Sequence, residues 1–342
     1  MLIRPLGTHN GKEVAEAVLE NDRHKIAIMN FGCVMRDWQV NTATGIRHIV
    51  LGFDSFDPYP EHSPSFGIIA GRVANRTANS RFTLAGETHQ LAANEGDHHL
   101  HGGPVGLGKV VWDIETDSSA NSVEMKYRSE AGDQGYPANL DCTIRFTLID
   151  DVVRIEMRAH PDRPTPVNLA QHNYYNLDAM NSPGEAPSLG DCRGHSLQVD
   201  AEHYLPVDDE LIPTGEMLAV AGTRFDFREP VAIRETDSDN AGHDHNLVLT
   251  SAGGDFRQVA LLSSSANDLR LALSSDQPGL QLYTGKKLSL KVAGHQGVMY
   301  KAFDGVCLEA QHFPNALNQS EWSSIIATPE EPYLQILELK VN

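Results

Sequence analysis

Two stretches far apart in this chain carry groups that could move protons. Residues 170–177 read AQHNYYNL and bring His172; residues 307–314 read CLEAQHFP and bring Glu309, directly after the apolar Val306, Cys307 and Leu308. Histidine titrates near neutral pH, and a carboxylate from a distant segment completes a candidate acid/base pair. Taken singly, each residue has a plainer reading: a strand-end histidine satisfied within the fold, and a solvated glutamate.

The densest histidine group, Asp97-His98-His99-Leu100-His101-Gly102-Gly103, sets three imidazoles within four positions. On a strand, His99 and His101 share a face and His98 points away. Zinc usually draws ligands from more than one segment, and no HExxH or CxxC partner is present. Polar loop residues are therefore the stronger reading for His98 and His99. Gly102-Gly103 lets the backbone approach something closely, which favours a site at His101.

Residues 71–76, GRVANR, put Arg72, Ala74 and Arg76 on one face of an extended strand. Each arginine suits a polar ligand or a carboxylate partner equally well. Asp244, within Gly242-His243-Asp244-His245-Asn246, can accept hydroxyl hydrogen bonds or cap a turn. Gln281 and Tyr283, within QLYTG, share a face of a strand that ends in a turn. Walker, GxGxxG and GxSxG patterns are absent, which removes the commonest nucleotide and acyl-transfer chemistries.

The elements that must position these residues read as strands. Cys142, Ile144, Phe146 and Leu148 alternate with polar neighbours, and after Asp150-Asp151 the pattern resumes at Val153, Ile155 and Met157, predicting a hairpin with one wet face. Val123, Met125 and Tyr127 repeat the alternation, as do Leu269, Leu271 and Leu273. A second hairpin is expected from Phe82 to Leu91, with Ala85-Gly86-Glu87 as its turn. Helical signal is confined to residues 230–236, where Pro230 suits a first turn. Strands at short intervals without intervening helices predict an all-β fold, an antiparallel β-sandwich with few short helices. Turn-rich loops at 54–64, 95–108, 181–194 and 236–245 are the expected walls of a site. No linker-like or low-complexity tract interrupts the chain, so residues 1–342 are expected to form one domain.

Composition narrows the partners. With 27 basic and 46 acidic residues the formal charge is −19, which repels nucleic acid and anionic membrane and favours a neutral ligand. Cys33, Cys142, Cys192 and Cys307 are scattered, which reads as free thiols in a reducing compartment. No run approaches the roughly 20 apolar residues that span a bilayer, and no signal-peptide pattern opens the chain. A cytoplasmic protein is the expectation.

In these motifs the chain resembles the aldose 1-epimerases (galactose mutarotases). The matching stretches are residues 71–76 (GRVANR), 100–103 (LHGG), 165–177 (TPVNLAQHNYYNL), 204–215 (YLPVDDELIPTG), 225–227 (FDF), 244–246 (DHN), 281–285 (QLYTG) and 308–311 (LEAQ). Each is weak alone; eight in order are specific. The resemblance implies a large antiparallel galactose mutarotase-like supersandwich with a cleft for one sugar ring. It implies His172 as general acid, Glu309 as general base, and Asn75, Arg76, His101, Asp244 and Gln281 as the residues that hold the sugar. It implies no cofactor and no metal; the partner is a monosaccharide, and the protein a monomer or homodimer. The family usually reads Asn-His-Ser-Tyr-Phe-Asn where this chain has Gln171-His172-Asn173-Tyr174-Tyr175-Asn176, an aromatic where it has His243, and Asn where it has Lys286. These departures bear on which sugar is preferred.

Mutarotation then needs an ionised Glu309 to take the C1 hydroxyl proton while a protonated His172 supplies one to the ring oxygen, from opposite sides of the C1–O5 unit. A carboxylate near its ordinary pKa suits that role. The competing readings are a hexose-6-phosphate 1-epimerase, a non-catalytic sugar-binding protein on the same fold, and, lowest, a zinc hydrolase built on His98, His99 and His101.

Overall fold

The computed structural model of the chain describes residues 2–178, 189–250 and 254–342. Of the expected loop 181–194, residues 181–188 lie outside this set. The alternating segments form strands as the pattern predicts. Leu140–Ile149 and Val152–Pro161 pair antiparallel from Ile149↔Val152 outward, around Asp150 in left-handed backbone (φ 51°). Their inward set, Cys142, Ile144, Phe146, Leu148, Val153, Ile155 and Met157, is at most 4% exposed. Burying each such side chain is worth about 1.5–3 kcal/mol, which fixes register, because a one-residue slip would turn the set outward.

Among the described residues three large sheets, all antiparallel, carry the fold. A nine-stranded sheet runs in the order Asp113–Asp117, Ser122–Ser129, Leu140–Ile149, Val152–Pro161, Tyr333–Val341, Arg270–Ser275, Arg257–Ser263, Ser196–Val199, Val231–Ala232. A five-stranded meander, Leu2–His9, Lys12–Glu20, His24–Met29, Val34–Thr42 and Gly45–His48, packs Leu19, Ile26 and Trp38 into one core with Val123, Met125 and Ile144 of the large sheet. A second five-stranded sheet runs in the order Leu218–Ala219, Ala201–Tyr204, Asp244–Leu249, Gly279–Tyr283, Cys307–Gln311. Its residues Leu247, Leu249, Leu280, Leu282, Leu308 and Ala310 enter that same core.

Two local expectations change. The hairpin Arg81–Leu84 with Glu87–Gln90 turns on two residues only, Ala85 and Gly86, both at positive φ (51° and 83°). Glu87 pairs with Leu84 and belongs to the strand, the geometry of a type I′ turn. Residues 230–236 do not form one helix. Val231–Ala232 pairs with Ser196 and Leu197 at the sheet edge, and only Ile233–Thr236 winds, as a 3₁₀ turn. Edge pairing there satisfies backbone groups that a helix opened by Pro230 would have left to solvent.

Among the described residues the α-helix is a single turn, Tyr59–His62, and no helix is long and apolar enough to cross a membrane.

Candidate active site

The strand Cys307–Gln311 shows how the sequence aims its chemistry. Leu308 and Ala310 enter the core, so Cys307, Glu309 and Gln311 share the other face. Glu309 stands opposite Gln281, and Gln281 opposite Asn246, across three neighbouring strands. Asp244 lies one pleat along from Asn246, and its Oδ1 accepts a hydrogen bond from Gln281 Nε2 at 2.8 Å. One face of one sheet thus gathers two carboxylates, Asp244 and Glu309, and three amides, Asn246, Gln281 and Gln311.

His172 arrives from another sheet. Ala170–Gln171 pairs with Ile69–Ala70, and the ladder continues as His172 N–H donates to the Ile68 carbonyl and the His172 carbonyl accepts from Gly67 N–H, both at 2.9 Å. The imidazole Nε2 lies 3.6 Å from Glu309 Oε1, with side chains 6% and 2% exposed. Tyr174 stacks on the ring at 5.2 Å between centroids, and His101 meets it edge-on at 5.1 Å. Cys307 Sγ lies 3.6 Å from His172 Nδ1. The two segments that open the sequence reading therefore meet in one buried place.

The remaining wall is made of two tight turns held to each other. Asn75 and His101 both adopt positive φ (59° and 51°), Asn75 N–H donates to His101 Nδ1 at 3.2 Å, and His101 N–H donates to the Asn75 carbonyl at 3.1 Å. A neutral His101 therefore carries its proton on Nε2, as a donor. Gly102 (φ 85°) follows, and a Cβ there would lie 1.7 Å from the Gly71 carbonyl oxygen, so only glycine closes this turn. Arg76 is 6% exposed and forms a two-bond pair with Glu95, Nε–Oε2 2.5 Å and Nη2–Oε1 2.9 Å.

Burial dominates the electrostatics. It pushes the Glu309 carboxyl well above its ordinary value, the Asp244 charge adding to that and Arg76 opposing it. It also lowers the His172 imidazole to about 4 and His101 well below its ordinary value. Asp244 is raised too, again by burial first. In the unliganded pocket the pair is thus drawn toward neutral carboxylic acid and neutral imidazole, not toward the ions expected from ordinary values. The two forms hold the same number of protons and differ only in which group carries one, so the ionised pair remains available within one protonation level. Nor do the two groups flank the pocket from opposite sides: they are neighbours. O1 and O5 of an aldose share one carbon, so adjacent groups can serve both.

Several expected residues stand elsewhere. Arg72 is 2% exposed and spends its guanidinium on the carbonyls of Ser129, Glu130 and Ala138 and on Ser129 Oγ. His99 is held between the Ala92 carbonyl and the Tyr136 hydroxyl, while His98 Nδ1 accepts from Asn79 N–H. The strand His99–Leu100 ends before His101, so His99 and His101 do not share a face. Gln171 and Asn173 point away from His172 and bond to each other (2.7 Å) in the interior. His243 is buried against Phe225 and Phe227, and Lys286 is exposed. Sequence reasoning missed Cys307, Asn246, Gln311 and Glu95. The first three were readable from alternation with Glu309 and Asp244; Glu95 was not, because its pairing depends on tertiary approach. Among the described residues one group of metal-type ligands converges, His172, Cys307 and Glu309, within 4.8 Å of one another. The thiol and the carboxylate approach opposite ring nitrogens, so they do not meet at one lone pair.

A family model described as aldose 1-epimerase matches residues 16–340. The chain is 36% identical to a galactose mutarotase of Bos taurus over 96% of this chain and 93% of that one. It is 34% identical to an aldose 1-epimerase of Escherichia coli over 92% and 90%. Among solved structures, an aldose epimerase homologue from C. elegans superposes with a TM-score of 0.87 at 28% identity, covering 96% of this chain and 99% of that one. A galactose 1-epimerase from Lactobacillus acidophilus gives 0.84 at 28%, covering 100% and 98%. Near-complete coverage by the family model and by relatives above 30% identity places the chain in the aldose 1-epimerase family.

Proposed function

We propose that the protein interconverts the α and β anomers of a neutral aldose, with Glu309 as general base and His172 as general acid. The observation that carries this reading is the buried 3.6 Å approach of His172 Nε2 to Glu309 Oε1. Glu309 takes the proton of the C1 hydroxyl as His172 gives one to the ring oxygen, the C1–O5 bond breaks, and an open-chain aldehyde results. Rotation about C1–C2 presents the other face of the carbonyl, and closure reverses both transfers. Every proton and electron pair is recovered, so no cofactor is consumed. Each group contributes about 10²–10⁴ in rate to a reaction that already runs in water.

Asp244 and Gln281 form one hydrogen-bonded unit suited to sugar hydroxyls, and His101 offers Nε2–H toward charge developing on the ring oxygen. Asn75 and Arg76 complete the wall, Arg76 through a guanidinium pre-positioned by Glu95. Polarimetry of freshly dissolved α-glucose, α-galactose and α-xylose tests the reading: the protein accelerates at least one, and no acceleration of any of them contradicts it. A hexose-6-phosphate substrate has one supporting observation, the exposed Lys286 and Lys287 just past the strand Gly279–Tyr283. A lower KM for glucose 6-phosphate than for glucose would favour it.

A further inference from the structure

The imidazole of His172 sits between two partners, and the acid/base pair uses only one. His172 Nε2 faces Glu309 Oε1 at 3.6 Å, while His172 Nδ1, on the other side of the ring, faces Cys307 Sγ, also at 3.6 Å. Which nitrogen of a neutral histidine carries the proton is set by the hydrogen bond the other one makes. A thiol can donate or accept, so this contact alone leaves the tautomer open.

The neighbours of the thiol give it a direction. The Tyr174 hydroxyl donates to the Pro64 carbonyl at 2.9 Å, and a carbonyl can only accept. The phenol has one hydrogen, so its oxygen remains as an acceptor. That hydroxyl is the thiol's other hydrogen-bond neighbour. The S–H therefore turns to Tyr174, and the sulfur is left to accept from His172 Nδ1–H. A separation of 3.6 Å suits sulfur, which is larger than oxygen. The His172 carbonyl, a second acceptor beside the ring, favours its protonation as well. Cys307 is fully buried and Tyr174 is 3% exposed, so water offers neither a different partner. Burial also holds the thiol neutral.

Resting on the aldose 1-epimerase reading above, we propose that Cys307 and Tyr174 are positioning residues that keep the proton on His172 Nδ1, through a chain from Nδ1–H to Sγ–H to Oη–H to the Pro64 carbonyl. Nε2 alone then gains and loses the mobile proton. Bare Nε2 receives it from Glu309 Oε1, which forms the imidazolium and the carboxylate. The imidazolium gives it to the ring oxygen as the carboxylate takes the C1 hydroxyl proton and the C1–O5 bond breaks. His172 is back in the tautomer it started from, and Glu309 is again an acid. In the opposite tautomer Nε2 already holds a proton, so Glu309 has nowhere to pass its own, and release from Nε2 would leave an imidazolate.

The test is nitrogen-15 NMR at neutral pH of protein labelled at histidine, with the His172 signals assigned by their loss in His172→Asn, alongside kcat and KM from polarimetry. Protonated and bare ring nitrogens resonate far apart, so the spectrum reads the tautomer without turnover. In the wild type Nδ1 is protonated; a bare Nδ1 overturns the proposal. Tyr174→Phe keeps the ring and removes the acceptor of the S–H, which then turns to Nδ1. The Nε2–H tautomer gains, and kcat falls about 3–10-fold with KM little changed, the size of one ordinary hydrogen bond. Cys307→Ala removes the sulfur and weakens the hold on Nδ1–H in the same direction. Cys307→Ser, whose hydroxyl both donates and accepts, keeps the wild-type signals and most of kcat. Nitrogen signals unmoved in both Tyr174→Phe and Cys307→Ala overturn the proposal even if kcat falls, and so does a moved tautomer with unchanged kcat. Failure of the wild type to turn over any aldose would strike the epimerase reading, while the wild-type spectrum still decides the tautomer.

Discussion

His172 and Glu309 sit in a pocket that disfavours the very charges their proposed roles require, and this sets the expected pH behaviour. Burial takes His172 down to about 4 and Glu309 well up. Between those values the pair holds one proton, either as neutral acid and imidazole or as carboxylate and imidazolium, and the proposed turnover draws on the second form. The profile of kcat/KM should therefore be a plateau whose acidic limb lies near pH 4, where a second proton enters. Its basic limb belongs to loss of the shared proton and lies well above the ordinary carboxylate range. An acidic limb at the unperturbed imidazole value would show that His172 is not in this environment in solution. That these two segments would supply the candidate pair was legible because AQHNYYNL and CLEAQ are distinctive. Their protonation was not, because desolvation depends on what the fold packs around them, and no spacing reports that.

At the scale of elements, alternation does most of the positioning. Cys307, Glu309 and Gln311 face the site because Leu308 and Ala310 face the core, and this much could be read directly. The turn made by Asn75 and His101 could not, since each residue leaves extended backbone at the point that matters. Gly102→Ala should unseat that turn, because its Cβ would lie 1.7 Å from a backbone oxygen at φ 85°. Urea denaturation should show a loss of about 1–3 kcal/mol, and activity should fall with it. Arg72→Met tests the other arginine. It strands the carbonyls of Ser129, Glu130 and Ala138, and a loss of about 1–3 kcal/mol is expected from leaving buried acceptors unsatisfied. Unchanged stability in Arg72→Met would return that residue to the list of ligand-binding groups.

Across the whole molecule, one hydrophobic core joins the three large sheets, with Trp38, Ile144, Leu247 and Leu308 among its members. We propose from this that residues 1–342 unfold as a single cooperative unit; two separated calorimetric transitions would divide it. The all-β class and the antiparallel hairpins were legible from period two, whereas the closing of distant strands such as Val152–Pro161 onto Tyr333–Val341 was not, because pairing across the chain leaves no local signal. All four cysteines are free and buried, in keeping with the reducing, cytoplasmic setting we propose. On the proposed account proton transfer alone carries the reaction, so incubation with EDTA should leave the rate unchanged; inhibition reversed by zinc would assign a metal to His172, Cys307 and Glu309. The most direct test of the acid/base account is the polarimetric decay of a freshly dissolved α-aldose with wild-type protein, Glu309→Gln and His172→Asn, each variant shown folded by circular dichroism. The account predicts rapid decay with the wild type and a loss of about 10²–10⁴ in each variant; a near-wild-type rate in either one would contradict it.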